Sequence, residues 1–241
     1  MIGFTQLAQW GRLGNQMWQI AFLVGLYKSH RVKYMIPQWD YARAFKYQFP
    51  QGELPSAQVV QERGHLWQPF VLNPKLNYDF RGYFQSSKYF AHCESAIRHI
   101  YDFKEEISAP LLEKYATTDA VSVHVRRGDY VGNPNYVQLG REYYEAALRQ
   151  FESKPILLFS DDLDYARELI PTGVPVDENE INSLCLMSKC PHHVVANSSF
   201  SFWGAWLANT PNVIRPKEFY LGRLKTDFPL HQYYPPEWKA L

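Results

Sequence analysis

The chain has 241 residues, 46% of them hydrophobic, which is enough apolar material for one large domain or two small ones. Its 25 basic and 24 acidic residues nearly cancel, which excludes a broad positive field for recruiting nucleic acid or anionic lipid. Any phosphate must therefore be bound locally. Aromatic residues make up 16% of the chain. Most of these rings belong in the core, but exposed ones are a common surface for stacking against sugars or bases.

The cysteines and the first apolar run bear on location. Cys93, Cys185 and Cys190 are an odd number, and no secretory signal is recognisable, which predicts reduced thiols in the cytoplasm. Cys185, Cys190 and the histidines after them fit no familiar zinc spacing. The apolar run from Ile20 to Leu26 is too short to span a bilayer. We therefore expect a cytoplasmic protein, and leave open a peripheral contact with the inner face of the membrane.

The first half of the chain predicts a small α/β unit, with short strands, helices of apolar periodicity and a long stretch of loops. In chain order we expect a strand at 2–7, a helix at 17–27, a strand at 32–36, loops to residue 74, a helix through Cys93, Ile97 and Ile100, and a helix at 107–115. The polar connection from Thr117 to Asp119 is the expected boundary, which gives an N-terminal lobe of 1–117 and a C-terminal lobe of 118–241.

A glycine-rich turn, Trp10 to Gln16, lies between the first strand and the first helix. Gly11 and Gly14 allow the backbone to approach a ligand closely, and the helix start offers free N–H groups. The turn is therefore either a substrate-facing loop or an ordinary strand-to-helix connection.

From Val121 onward strands and helices alternate, which predicts a doubly wound, Rossmann-like parallel sheet. The expected strands are 121–125, 156–159, 174–176, 194–196 and 213–214, and the expected helices are 141–151, 163–170, 180–188 and 200–208. The tail from Tyr233 to Trp238 is expected to dock without chemistry of its own. In open sheets of this kind ligands bind at the carboxyl ends of the strands. The residues that follow each strand are therefore the candidates for a site.

The first of these strands runs directly into charge. His124 and Arg126 alternate with buried valines and so share the polar side, and Gly128 ends the strand. Arg126, Arg127 and Asp129 form either an ordinary ion-pair cluster or an anion site. Adjacent arginines point in different directions, so one carboxylate cannot easily satisfy both, and a guanidinium suits bidentate capture of phosphate. We expect Arg126 to bind an anion and Arg127 to be structural.

Two further strand ends carry polar residues. Asp161 and Asp162 come just before a helix, where one of them suffices as an N-cap and the other is free to face a ligand, such as the paired N–H donors of guanine. Asn197 and Ser198 come before another helix, whose start presents unpaired N–H groups and the positive end of the helix dipole. This second segment predicts a phosphate cradle and is equally compatible with a serine cap.

Five blocks of the chain resemble, in the same order, the bacterial α-1,2-fucosyltransferases of glycosyltransferase family 11. The blocks are GRLGNQMWQIA (11–21), GYFQSSKYF (82–90), HVRRGDYV (124–131), FSDD (159–162) and NSSFSFWGAWL (197–207). The sequence departs from the family at Arg12, where most members have Gly, at Asn182, where Asp is commoner, and at Phe202, where Trp is commoner. These departures bear on acceptor preference and leave the reaction type unchanged.

The resemblance implies a GT-B-like α/β fold of two lobes, with GDP-fucose on the C-terminal lobe and the acceptor near the N-terminal lobe. It implies an inverting transfer of L-fucose from GDP-β-L-fucose to the 2-hydroxyl of a terminal galactose in a glycan. No metal ion or other cofactor is expected, and the setting is bacterial glycan or lipopolysaccharide synthesis. The implied partners are GDP-fucose and a galactose-terminated oligosaccharide, without nucleic acid, and the oligomeric state is left open.

The resemblance also implies roles for single residues. The residues implied to bind GDP-fucose are His124 and Asp161 at guanine, Arg126 at the β-phosphate, and Asn197, Ser198, Ser199 and Phe200 at the phosphates. The weaker candidates for fucose or acceptor are Arg12, Gly14, Asn15 and Gln16, with Asn15 also a candidate catalytic residue. Asp129 is the first candidate for a general base and His124 the second. If Asp129 were locked to Arg127, the reaction would proceed without a protein base.

Three alternatives stay open. One is a fucosyltransferase that forms another linkage. Another is a metal-dependent glycosyltransferase that uses Asp162 and Asp164 as a D-x-D motif, a tripeptide that is frequent by chance. The third is a carbohydrate-binding module that uses its aromatic rings alone and never releases GDP.

Overall fold

The computed structural model describes all 241 residues, which form two compact units. Unit 1 consists of Met1–Lys104 and Asp227–Tyr233, and unit 2 of Glu105–Thr226 and Tyr234–Leu241. The first division lies between residues 104 and 105, earlier than the expected 117 and 118. The reason is that the helix ending at Lys114 packs within unit 2, where the Lys114 Nζ lies 2.6 Å from the Glu178 carboxylate.

The strands are, in chain order, β1 (Ile2–Gly3), β2 (Tyr34–Met35), β3 (Gln58–Gln61), β4 (Tyr78–Arg81), β5 (Val121–Val125), β6 (Ile156–Ser160), β7 (Val174–Pro175), β8 (His192–Val194), β9 (Val213–Arg215) and β10 (Lys239–Ala240). The helices are α1 (Leu13–His30), α2 (Glu94–Ile100), α3 (Glu105–Lys114), α4 (Arg141–Leu148), α5 (Leu163–Leu169), α6 (Glu180–Met187), α7 (Ser199–Ala208), α8 (Gly222–Asp227) and α9 (Leu230–Tyr233). None of the helices combines the length and the apolar composition needed to cross a bilayer.

Unit 1 is built on a parallel four-stranded sheet in the order β2-β1-β4-β3. Helix α1 is buried continuously from Gln16 to Leu26, so it is apolar on nearly all sides rather than amphipathic. The ring of Phe22 on this helix stacks on Phe84 at 4.1 Å and meets Phe80 of β4 edge to face. The aromatic residues expected in the core therefore join α1 to the sheet.

Unit 2 contains a parallel six-stranded sheet in the order β10-β9-β8-β5-β6-β7. The chain builds outward from β5 through β6 and β7, then returns to the other side of β5 with β8, β9 and β10. The order therefore reverses between β5 and β8, and this reversal is the switch point at which ligands bind in such sheets. The predicted doubly wound α/β sheet is confirmed.

Two features of unit 2 differ from expectation. The sheet has a sixth strand, β10, which pairs in parallel with β9, so the C-terminal tail completes the sheet. Strand β8 covers residues 192–194 rather than 194–196. Strand β5 is buried at every position, including Ser122 and His124, because helices cover both faces of a parallel sheet.

Candidate functional site

Three charged side chains of unit 2 meet at the C-terminal end of β5. The Arg126 guanidinium donates through Nη1 to the Asp161 carboxylate and through Nη2 to the Asp129 carboxylate. Its side chain is only 13% exposed. Arg126 is therefore held in a fork between two acidic side chains, one following β5 and one following β6. We call these three residues the Arg126 cluster.

A glycine permits this arrangement. Asp161 also accepts a 2.8 Å hydrogen bond from the backbone N–H of Arg127. Gly128 has a φ of +36°, and a Cβ at this position would lie 2.5 Å from Asp161 Oδ2. Both the backbone conformation and the space therefore favour glycine. The predicted strand break at Gly128 is what lets the carboxylate of a neighbouring strand reach the arginines.

Arg127 has a different environment. Its guanidinium lies over the ring of Tyr165, with Cζ 3.8 Å from the ring centroid, and its Nε lies 3.9 Å from Asp162 Oδ2. The cation therefore rests mainly on an aromatic face. Asp129 pairs with Arg126 and not with Arg127. The alternative in which Arg127 locks Asp129 is thus wrong.

His124 is 4% exposed and lies beneath the cluster. Burial lowers the pKa of its imidazole to about 4, with a further lowering by the Arg126 cation and an opposing effect of the Asp161 carboxylate. The ring is therefore neutral near pH 7, and its centroid lies 5.5 Å from that of Phe200. Its Nδ1 is buried and has no hydrogen-bond partner. An imidazole with such a low pKa is a poor general base at neutral pH, but this nitrogen can still bond to a ligand.

The two aspartates after β6 have different partners, and the predicted helix cap is Asp162. Asp162 is the N-cap of α5, and its carboxylate accepts from the backbone N–H of Tyr165 at 3.1 Å. Asp161 instead faces the two arginines. Asp164, the second acid of the D-x-D pattern, is 93% exposed at the side chain and pairs with Arg167. No group of three or more His, Cys, Asp or Glu side chains in the structure is arranged to hold a metal ion.

Helix α7 begins at the carboxyl end of β8. Ser198 is its N-cap, and its Oγ accepts from the backbone N–H of Phe200 at 3.3 Å. Asn197 is buried, and its side-chain amide donates to the carbonyl oxygens of Val137, at 3.0 Å, and Phe219, at 2.8 Å. Both donors of Asn197 are thereby committed to holding two loops. With both donors engaged, Asn197 has no side-chain N–H left for the GDP-fucose contact that the resemblance implies.

Tyr130 lies in the sequence block 124–131, and the sequence alone predicts no role for it. Its hydroxyl donates to the backbone oxygen of Asn197 at 3.0 Å, and its ring stacks on Tyr136 at 3.7 Å. The Arg126 Cζ lies 5.0 Å from the Tyr130 ring centroid. Tyr130 therefore links the segment after β5 to the segment after β8. Only the spatial adjacency of β5 and β8 reveals this link.

In unit 1 the glycine-rich turn leads into α1. Gln16 is 5% exposed, donates to the Gly11 carbonyl at 3.0 Å and accepts from the Trp39 indole at 2.8 Å, so it holds the turn. Asn15 Oδ1 accepts from the Gln85 side chain at 2.8 Å. Arg12 is exposed at the N-cap position and makes no side-chain capping bond, and Gly14 is buried. The sequence did not single out Gln85, although this residue lies in the block 82–90 that resembles the family.

Comparison with known proteins identifies the family. The model of "Glycosyl transferase family 11" matches residues 43–239, which is most of the chain. The chain therefore belongs to glycosyl transferase family 11.

Individual relatives agree with this assignment. An alpha-1,2-colitosyltransferase of Escherichia coli is 34% identical over 154 residues, which cover 54% of this chain and 51% of that protein. The chain thus spans about half the length of this curated relative. A galactoside alpha-(1,2)-fucosyltransferase 2 of Oryctolagus cuniculus is 26% identical over 98% of this chain and 74% of that protein.

A solved structure shows the fold. The crystal structure of NodZ alpha-1,6-fucosyltransferase soaked with GDP-fucose superposes with a TM-score of 0.54 at 13% identity, covering 90% of this chain and 94% of that one. The predicted GT-B-like α/β class is confirmed.

Proposed function

We propose that this chain transfers L-fucose from GDP-β-L-fucose to the 2-hydroxyl of a terminal galactose in a glycan, with inversion at the anomeric carbon. Membership in family 11 and the alpha-1,2 relatives support the reaction and its linkage. The single structural observation behind the proposal is the Arg126 cluster at the switch point between β5 and β8. A guanidinium that binds two carboxylates in a fork presents the geometry that two phosphate oxygens require.

The cluster explains how departure of GDP is assisted. As the bond between fucose C1 and the β-phosphate oxygen breaks, negative charge grows on GDP and the sugar acquires oxocarbenium character. Donors aimed at the β-phosphate therefore bind the transition state more tightly than the ground state. In this proposal Arg126 supplies the charge and the start of α7, at Ser199 and Phe200, supplies N–H donors.

The guanine end of the donor is assigned to His124 and Asp161. The buried, unpartnered Nδ1 of His124 supports this assignment, because an unsatisfied buried nitrogen is costly unless a ligand engages it. To bind guanine, Asp161 must move one carboxylate oxygen from Arg126 to the nucleobase. Entry of the diphosphate at Arg126 would free that oxygen, so the two contacts are exchanged rather than lost.

The acceptor hydroxyl must lose a proton, and Asp129 is the proposed base. Its side chain is 63% exposed, so an acceptor can reach it. It pairs with Arg126, and binding of phosphate to that arginine would release it. On the acceptor side we retain Arg12, Gly14 and Asn15 as proposed contacts and assign Gln16 a supporting role. Asn15, oriented by Gln85, is the proposed polar group nearest the acceptor.

No cofactor is included in the proposal. The three cysteines are unpaired by disulfides, which supports a cytoplasmic site of action. Contact with the inner face of the membrane is a further part of the proposal, to be tested by co-sedimentation with anionic vesicles.

The proposal is tested by product analysis. GDP-fucose is incubated with lactose and with other galactose-terminated disaccharides, and the linkage and anomeric configuration are read by NMR. We expect an α-linkage to O2 of galactose, with equal rates in EDTA and in manganese. Fucose at another position would refute the linkage, and activity that EDTA abolishes and manganese restores would refute the assigned role of Arg126.

A second donor deserves the same assay, because the Escherichia coli relative at 34% identity is a colitosyltransferase. Colitose is the 3-deoxy counterpart of fucose, so the two donors differ by one hydroxyl. A site that hydrogen-bonds this hydroxyl discriminates strongly, whereas a site that ignores it accepts both sugars. The ratio of kcat/KM for GDP-fucose and GDP-colitose decides between the two donors.

A further inference from the structure

Two loops of unit 1 meet at two adjacent points. The ring of Trp10, the first residue of the glycine-rich turn, lies 6.4 Å from the ring of Tyr83, and the two rings are tilted by 54°. A short distance along the chain from each ring, Gln85 donates to Asn15 in the first turn of α1. Tyr83 is 36% exposed and Trp10 is half-buried. The result is a surface of two aromatic rings beside two side-chain amides, which we call the Trp10–Tyr83 surface.

The backbone that carries Tyr83 is held firmly. The Glu62 carboxylate accepts from the backbone N–H of Tyr83 at 2.7 Å and of Phe84 at 2.9 Å. Gly82 has a φ of +144°, and a Cβ there would collide with Glu62. Phe84 lies beneath the surface and stacks on Phe22. Tyr83 is thus fixed through its neighbours while its own ring stays partly in solvent.

Two residues beside this surface have a left-handed backbone. Five non-glycine residues of the chain have a positive φ; Arg31 and Asn209 end helices, where that conformation is usual, and Ser153 lies in unit 2. Ala8 (φ +68°) precedes Trp10 by two residues, and Phe84 (φ +49°) directly follows Tyr83. Neither is a residue that favours the left-handed region. Such strain persists at positions where the surrounding structure imposes a geometry for binding.

The chemistry of the surface matches a sugar ring. The aliphatic C–H face of a pyranose stacks on aromatic rings, and its hydroxyls pair with amide groups, which both donate and accept. The charged groups beside the rings are the exposed Arg12 and the Glu62 carboxylate, which have opposite signs, so a diphosphate would gain little there. We propose that Trp10 and Tyr83 bind a pyranose ring of the acceptor glycan. This inference rests on the proposed function and extends it to the residues that recognise the acceptor.

Kinetics with two substrates test the inference. Trp10→Ala and Tyr83→Ala should each raise the KM for lactose about tenfold, the factor supplied by one aromatic contact, and leave the KM for GDP-fucose unchanged. Trp10→Phe should stay close to the parent because a ring is retained. Trp67→Ala is the matched control, since Trp67 is a 41% exposed tryptophan of the same unit. Acceptor KM values within twofold of the parent in both alanine variants would overturn the inference.

Binding without turnover keeps this inference separate from the proposed reaction. Lactose is titrated into the parent and Trp67→Ala proteins while the indole N–H signal of Trp10 is followed by NMR. We expect a saturable shift of that signal in both proteins, and an unshifted Trp10 signal would overturn the inference even if the enzyme makes product. If no product formed from GDP-fucose but the Trp10 signal shifted, the proposed donor would be wrong and sugar binding at the Trp10–Tyr83 surface would still be supported. Trp10→Phe and Tyr83→Phe provide folded variants if an alanine variant fails to fold.

Discussion

The two units build their candidate binding surfaces in opposite ways. In unit 2 the surface is made of charges at strand ends, and the central cation, Arg126, is bound by Asp129 and Asp161. In unit 1 the surface is made of rings and amides on two loops and the first turn of α1, and the Glu62 carboxylate holds the loop that carries Tyr83. One surface is electrostatic and rests on a sheet, whereas the other is nearly neutral and rests on strained loops.

This difference corresponds to the two substrates of the proposed reaction. A nucleotide diphosphate gains charge as its bond to the sugar breaks, so it requires a rigid cation at a fixed point. A neutral glycan gains no charge at its remote rings, so shape and hydrogen bonding suffice for it. The comparison therefore predicts that charge-removing variants act on turnover in unit 2, while ring-removing variants act on acceptor affinity in unit 1.

The largest effect is expected at Arg126. Replacement by lysine keeps one charge but cannot form the fork to two acceptors. Loss of one transition-state contact to a charged oxygen costs about 3 to 4 kcal/mol, so kcat for Arg126→Lys should fall a hundredfold or more. The measurement is kcat with saturating GDP-fucose and lactose, with thermal unfolding as a check on the fold. A near-parental kcat would remove Arg126 from the mechanism.

Arg127→Lys is the matched control. The guanidinium of Arg127 lies on the Tyr165 ring and makes only a long contact with Asp162. Its loss should therefore lower the melting temperature and leave kcat close to the parent value. If Arg127→Lys lost turnover and melted like the parent, the roles of the two arginines would have to be exchanged.

How far the sequence alone leads also differs between the units. In unit 2 the valine alternation of β5 and the paired aspartates after β6 predicted the strand and the α5 cap, because those signals are local. The pairing of Arg126 with Asp161 was not predicted, because it joins residues that follow two different strands. Strand β10 was missed because Lys239 and Ala240 show no alternation and are placed by their pairing with β9.

In unit 1 the sequence signals were weaker. Strand β3 is mostly exposed and has no apolar face, and α1 is apolar on nearly all sides, so its start at Leu13 was placed too late. The contact between Trp10 and Tyr83 joins distant parts of the chain and could not be predicted from spacing. The glycines at 11 and 82, both with positive φ, were the only local signal near it.

The second prediction contrasts the pH response of the two units. His124 in unit 2 is neutral when folded, with a pKa of about 4 instead of 6.5, so its stabilisation is complete above pH 6.5 and is lost as pH falls toward 4. Between pH 6.5 and 4 this lowers the free energy of unfolding by about 3 kcal/mol. Burial lowers the pKa of His193 in the same unit to about 3, which adds a loss of the same sign. Burial raises the pKa of Glu62 in unit 1, so its contribution is complete below pH 4.5 and is lost as pH rises through the folded value.

Urea unfolding of the parent, His124→Gln and Glu62→Gln between pH 4 and 8 measures both effects. We expect the free energy of unfolding of His124→Gln to depend less on pH between 4 and 6.5 than that of the parent. Glu62→Gln should depend less on pH above 4.5. Hydrogen exchange resolved by unit assigns each change to its part of the molecule. Parallel profiles for the parent and His124→Gln would show that His124 does not control the acid response.

The third prediction concerns Asp129. If Asp129 is the base, Asp129→Asn removes proton transfer, which typically contributes a hundredfold or more, so kcat should fall by about that factor. If Asp129 served only to neutralise Arg126 before the donor binds, its removal would instead tighten GDP binding and leave kcat nearly unchanged. Calorimetry with GDP, together with kcat at saturating substrates, separates the two roles.

The smallest effect is expected at Asp162, which lies next to the Arg126 cluster but faces α5. Its carboxylate caps the helix through the N–H of Tyr165, and removal of such a cap costs about 1 kcal/mol. Asp162→Ala should therefore lower the free energy of unfolding by about that amount and leave the KM for GDP-fucose near the parent value. Asp161→Ala should differ by raising the KM for GDP-fucose, because Asp161 is the residue assigned to the guanine base; the variant should still fold, although it loses the bonds to Arg126 and to the N–H of Arg127. Asp162→Asn, which retains a capping oxygen, should recover most of the lost stability. An exchange of the two phenotypes would mean that the helix cap, and not the residue before it, faces the nucleotide.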